Sequence, residues 1–182
     1  MDGLPFTTSH VDVVKLLLAH PDINVNLKTV GGQTPLSLSC ECGEVPIVQV
    51  LLNDPRVDIT FNDMYNCTPL WWASFYGHHE VLEWLIASSR DLGDTKNKKG
   101  KWYSENYTAL EIAQREKKTE VVSVLERFMA NSSQTRHELR VKLGLLAELA
   151  AEVFALTVFL CDDLLQLKPA SHPAVTAAAA AT

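Results

Sequence analysis

Two stretches of this 182-residue chain repeat one another at a fixed offset, and that offset constrains the fold more than any other feature. Gly32-Gln-Thr-Pro-Leu-Ser-Leu-Ser-Cys-Glu-Cys-Gly43 leads into a run ending Val50-Leu51-Leu52. Asn66-Cys-Thr-Pro-Leu-Trp-Trp-Ala-Ser-Phe-Tyr-Gly77 leads into one ending Trp84-Leu85-Ile86. Thr34 and Thr68 are 34 residues apart, and so are Leu51 and Leu85. A third copy opens at Thr108-Ala-Leu-Glu-Ile-Ala113 and runs on to Glu120-Val-Val-Ser-Val-Leu125. A partial copy leads the chain, because Ser9-His-Val-Asp-Val-Val-Lys-Leu-Leu-Leu18 matches the second half of the unit. A period of this length marks units stacked in a row, since one short unit cannot cover its own apolar face.

Each unit reads as a helical hairpin. Thr34 and Thr68 are good N-caps, and Pro35 and Pro69 fall in the first turn, where a helix tolerates proline. Gly43 and Gly77 permit a tight turn after a short first helix. The second helix carries apolar residues at helical spacing: Val48, Leu51 and Leu52, then Val81, Leu82, Leu85 and Ile86. Pro21–Asn26 and Pro55–Thr60 follow as extended connectors.

The Thr-Pro-Leu starts, the Gly77-His78 turn and the helical Leu-Leu pairs resemble the ankyrin repeat. The resemblance covers residues 1–130, and its style is that of ankyrin proteins of fungi and other lower eukaryotes. It implies an all-α solenoid: a partial repeat at 1–30, full repeats at 31–64, 65–104 (with a long insertion) and 105–130. There are departures. Pro5 falls in what should be a first helix, so the first repeat is expected to be frayed and the chain to be a fragment. Ala109 replaces proline, and Lys117-Lys118 replaces Gly-His, so the third turn should be looser. The insertion from Ser88 to Asn106, with its lysines at 96, 98, 99 and 101, should be a long exposed loop.

Beyond the repeats, residues 131–168 read as a helical cap. Leu139, Leu143, Leu146, Ala150, Val153, Leu156, Leu160, Leu164 and Leu167 fall at steps of three and four. This is one long helix, or two joined near Gly144, suited to covering the end of a solenoid. Glu148 and Glu152 argue against a membrane span there. The last segment, 169–182, rich in alanine and punctuated by proline, is expected to be a disordered tail.

Several function classes are disfavoured. With 16 Lys+Arg against 22 Asp+Glu, a net charge of −6, the chain is ill suited to wrapping nucleic acid. No glycine-rich phosphate loop, Gly-x-Ser-x-Gly elbow or His-Glu-x-x-His is present, so neither an enzyme nor a cofactor is indicated. Cys40 and Cys42 form a single tight pair without a second, so no metal is expected, and Cys40 falls where alanine packs in the ankyrin register. No secretory signal is visible, which points to the cytoplasm or nucleus with reduced thiols.

What remains is binding. The resemblance implies a partner protein held by hairpin tips and the concave side of the first helices. It selects Met64, Tyr65, Trp71, Phe75, Tyr76, Tyr107, Glu111 and Arg115, a set rich in the aromatics that dominate interfaces. Trp72 and Trp84 fall on core positions. The alternative for the rings is packing against the insertion or the C-terminal helix. Self-association through the first repeat or the C-terminal helix, or service as the regulatory arm of a larger enzyme, are the other readings.

Overall fold

A computed structural model describes residues 6–88, 90–93 and 97–145, with the backbone alone for 6–9. Contacts group the chain into one unit up to Leu143 and a second from Gly144. The expected helix and tail beyond residue 145 lie outside the described residues.

The elements are α1 (Phe6–Leu18), α2 (Pro35–Cys42), α3 (Val45–Asn53), α4 (Pro69–Tyr76), α5 (His79–Ala87), β1 (Gly100–Trp102), β2 (Glu105–Tyr107), α6 (Ala109–Arg115), α7 (Thr119–Ala130) and α8 (Ser132–Lys142). First helices α2, α4 and α6 pack side by side in one row; α1, α3, α5 and α7 pack in the other. The fold is thus an all-α repeat solenoid, with α8 laid against α5 and α7. Its core lies between the rows: Val48 and Leu51, then Val81, Leu85 and Ile86, then Val121 and Leu125 are all buried.

Each first helix starts on a threonine. Thr34, Thr68 and Thr108 Oγ1 accept the backbone N–H of Ser37, Trp71 and Glu111, each at 3.2 Å. In the third copy the Glu111 carboxylate also accepts the Thr108 N–H at 2.7 Å, closing a capping box that compensates for the missing proline. Each first helix also ends alike. Gly43 and Gly77 turn in the left-handed region, at φ of 75° and 86°. The following N–H then reaches back five residues, Glu44 to Ser39 O at 3.0 Å and His78 to Ala73 O at 2.9 Å. The third turn is not looser, contrary to expectation. Lys117 takes the same left-handed conformation at φ 57°, and Lys118 N–H donates to Ala113 O at 2.9 Å. The stacking fixes the turn even where the residue disfavours it.

The outer row is stapled by arginines. Arg56 donates to the carbonyls of Leu18, His20 and Pro21 at the end of α1. Thirty-four residues on, Arg90 donates to Leu52, Asp54 and Val57 at the end of α3, at 2.5–2.7 Å. Arg140 and Arg136 of α8 do the same for Ala87, at the end of α5, and Arg90, just past it. Each guanidinium satisfies carbonyls that a helix C-terminus leaves without partners, at the negative end of its dipole. On α5 the buried acid is Glu83, whose two carboxylate oxygens each accept from Lys142 Nζ at 2.6 Å. Its neighbour Trp84, expected in the core, is only half-buried.

The insertion is not simply an exposed loop. Its second half is an antiparallel hairpin, with Gly100 opposite Tyr107 and Trp102 opposite Glu105.

Candidate functional site

The connectors between repeats end in tight tips that line one edge of the solenoid. The first tip turns at Thr29–Gly32, where Gly32 N–H donates to Thr29 O. In the second, Asp63 receives N–H donors from Tyr65 and Cys67 on one oxygen and the Trp72 indole on the other, at 2.9–3.0 Å. Asp63 is itself buried, so this short loop is fixed from within. The third tip is the β1–β2 turn, with Tyr103 at φ 54°. Backbone bonds join the tips in series: Met64 N–H to Gly31 O at 3.0 Å, and Lys101 N–H to Tyr65 O at 2.7 Å.

This edge carries much of the exposed apolar surface. Val30, Met64, Tyr65 and Tyr103 stand out from the tips, with Met64 at 64% and Tyr103 at 81% exposure. Leu38 of α2 and Tyr76 of α4 are exposed on the first helices.

Inward from the tips is an aromatic box. Trp71 stacks on Phe75 at a centroid distance of 5.5 Å with planes 7° apart, and Trp102 closes over Phe75 at 4.5 Å. Trp72 meets Trp102 edge-on at 6.3 Å. The Trp71 indole N–H donates to the Tyr107 carbonyl at 2.9 Å. Gly100 sits so close to Trp71 and Cys67 that a methyl group there would lie 2.5 Å from Cys67 Sγ. Burial, aided by the Asp63 charge, pushes the Cys67 thiol well above its usual range.

These contacts correct the expectation for Trp71, which was assigned to the partner surface. It is 2% exposed, sealed by the insertion hairpin. Phe75 is half-buried for the same reason. The indole and phenyl are too large to be covered by neighbouring first helices alone, and the hairpin supplies the missing wall. Met64, Tyr65 and Tyr76 stay exposed. Desolvation, then the Glu41 carboxylate that accepts from its hydroxyl at 3.4 Å, raises the Tyr76 pKa. Tyr107 is half-buried; its hydroxyl donates to Glu105 and Arg115 lies 5.0 Å over its ring. Glu111 is exposed but committed to the capping box, and its backbone bond from Thr108 lowers its pKa below the usual carboxylate range. Arg115 is exposed beside Glu116.

Tyr103, exposed on the third tip, lies outside the expected set. Tyr103 lies in the insertion, where no repeat register assigns it a place. His78 reaches into the preceding repeat, with Nε2 3.0 Å from the Glu41 carbonyl. Cys40 is buried, which pushes its thiol far up, whereas Cys42 is exposed, so the two thiols diverge. Among the described residues no group of His, Cys, Asp and Glu is placed to hold a metal, and no helix is long and apolar enough to cross a membrane.

A sequence model of the family described as "Ankyrin repeats (3 copies)" matches residues 7–99. This chain belongs to the ankyrin repeat family. Ankyrin repeat domain-containing protein 63 of Mus musculus is 38% identical over 117 residues, covering 61% of this chain and 27% of that protein. Its Homo sapiens counterpart is also 38% identical, with 28% of its length covered. Alpha-latrocrustotoxin-Lt1a of Latrodectus tredecimguttatus is 28% identical over 60% of this chain and 7% of its own length. The chain spans about a quarter of the length of the first two relatives. Ankyrin repeats are generally protein–protein interaction modules, and ankyrin repeat proteins are typically non-enzymatic.

Proposed function

We propose that this chain is a non-catalytic module that binds a partner protein along the tip edge and the adjoining first helices, not in the sealed aromatic box. The observation carrying this reading is the row Val30, Met64, Tyr65 and Tyr103, with Leu38 and Tyr76 exposed on the first helices. Large apolar side chains on turns joined by backbone hydrogen bonds are held out before a partner arrives, so little ordering entropy is lost on binding. Trp71, Phe75 and Trp102 support that edge from beneath. Arg115 and Tyr107 sit at its far end, where they tune specificity more than affinity. The free thiols suit a cytoplasmic or nuclear setting. A photo-crosslinking residue at position 64 or 103 should trap the partner, while one at the exposed Glu126 of α7 should not. Equal yield from position 126, or none from the tips, sinks the reading.

A second reading, self-association, has its own observation: Val13, Leu16 and Leu17 of α1 are exposed together. Light scattering of the wild type and of Leu16→Glu tests it, because a concentration-independent monomer in both disposes of it.

A further inference from the structure

The second tip and the insertion enclose an open groove of about 530 Å³. Lys98, Lys99 and Lys101 line one wall, and Met64, Tyr65 and Asn66 line the other. The size lies within the ~300–1,000 Å³ range of ligand sites. The walls are tied together. Lys101 N–H donates to Tyr65 O at 2.7 Å, Asn66 Nδ2 to Lys99 O at 2.7 Å, and Lys98 Nζ to Thr60 O at 3.2 Å.

The charge here runs against that of the chain as a whole, which is net −6. Among the described residues neither Lys98 nor Lys101 makes an ion pair, and Lys99 meets Glu111 at a loose 3.5 Å. Nearby acids keep their charge but are held by other donors, Glu111 being shared between Lys99 and its own cap. Asp63 is taken up by two backbone N–H groups and the Trp72 indole, Glu105 by the Tyr107 hydroxyl, and Glu111 by its helix cap. Lys98 and Lys101 therefore leave ammonium charge on one wall with no ionic partner among the described residues, and Lys99 adds to it beside Glu111.

We propose that this groove receives an extended, carboxylate-rich segment of the partner protein. Aspartate or glutamate side chains would meet the lysines, and an apolar side chain between them would lie on Met64 and Tyr65. A nucleic-acid strand fits less well, since a polyanion continuing past the groove meets an acidic molecule, and Tyr65 alone offers a ring for stacking there. The proposal rests on the partner-binding reading above and names the chemistry the tip edge selects.

The test is selection of a random-peptide display library on the whole chain, followed by fluorescence anisotropy with the winning peptides and with oligouridylate. Asp and Glu should be enriched between apolar residues. Affinity should fall as salt rises, by about two- to five-fold with Lys101→Gln and by about ten-fold with Lys101→Glu. Lys101 offers its side chain to solvent, so circular dichroism should be unchanged. Winners that are not acidic but weaken with Tyr103→Ala overturn the groove and leave the tip edge standing. Winners indifferent to both substitutions overturn both. Oligouridylate binding more tightly than the acidic peptides, and lost with Lys101→Glu, overturns the peptide in favour of nucleic acid.

Discussion

Ser37 and Glu41 of the first full repeat occupy the places taken, 34 residues later, by Trp71 and Phe75 of the second. The backbone is the same in both: threonine cap, first-turn proline, left-handed glycine. The side chains solve different problems. Ser37 lies against Thr34 Oγ1 at 3.2 Å and Glu41 accepts from Gln33, so these two side chains find partners within their own repeat, Glu41 also accepting from Tyr76 of the next. Trp71 and Phe75 cannot be satisfied locally. They recruit Trp102, Gly100 and the Tyr107 carbonyl from the insertion. A repeat that fills its inner face with large rings thus gives up that face as a binding groove and moves its exposed apolar surface to the tips.

The comparison is most easily broken at its largest contact. Trp71→Ala should cost about 3–5 kcal/mol in urea unfolding, because it empties a box walled on every side. Ser37→Ala, at the equivalent position, should cost about 1 kcal/mol, the worth of one hydrogen bond. Equal losses would mean that the aromatic box is no more tightly packed than its polar counterpart.

The outer edge sharpens the contrast, because there the two repeats agree. Arg56 and Arg90 do one job 34 residues apart, but Arg90 is the less exposed of the two and binds its three carbonyls at shorter distances. Arg90→Ala should cost about 2–3 kcal/mol, as befits buried acceptors losing a charged donor, and Arg56→Ala distinctly less. Arg56 also holds Asp54, and that side-chain hydrogen bond lowers the Asp54 pKa below its ordinary value. A depressed carboxylate adds stability above its unfolded-state pKa and loses it as pH falls through the folded value. The gap between wild type and Arg56→Ala should therefore narrow on acidification below the ordinary carboxylate range. A gap independent of pH would leave the staple acting through carbonyls alone.

The insertion hairpin can be loosened without touching a ring. Gly100→Ala places a methyl against Cys67 Sγ and the Trp71 indole. It should cost about 1–2 kcal/mol by overpacking. Hydrogen exchange should accelerate across 100–107 and leave α3 unchanged. Protection lost evenly along the solenoid would show that the hairpin is part of the cooperative core, not a separate cover.

These cases also mark what a single sequence discloses. The threonine caps, turn glycines and paired helices were legible because each depends on residues within a few positions of one another. Trp71 was legible as bulky and as facing inward, but its burial depends on residues 30 positions away in a segment with no repeat register. The arginine staples keep the 34-residue spacing, but their acceptors are backbone carbonyls, which every residue has and no residue type advertises. Tyr103 and Lys101 owe their place on the tip edge to the same unregistered hairpin. Local chemistry is written in order along the chain, whereas cover and exposure are decided by whatever folds over it.

Lys117 offers the smallest and most discriminating comparison. It holds the left-handed turn that Gly43 and Gly77 hold, with the same reach-back hydrogen bond. A side chain in that conformation costs about 1–2 kcal/mol. Lys117→Gly removes that strain but gives the unfolded chain more freedom, worth about 0.5–1 kcal/mol against folding. The net should be a gain of about 0.5–1 kcal/mol, read as a shift of the urea midpoint with an unchanged slope. Gly77→Ala should go the other way, since its added carbon meets both the left-handed backbone penalty and the Lys118 side chain at 2.6 Å. If Lys117→Gly destabilised instead, the lysine would be making a favourable contact that outweighs its backbone strain, and the three turns would be alike in shape but not in the forces that hold them.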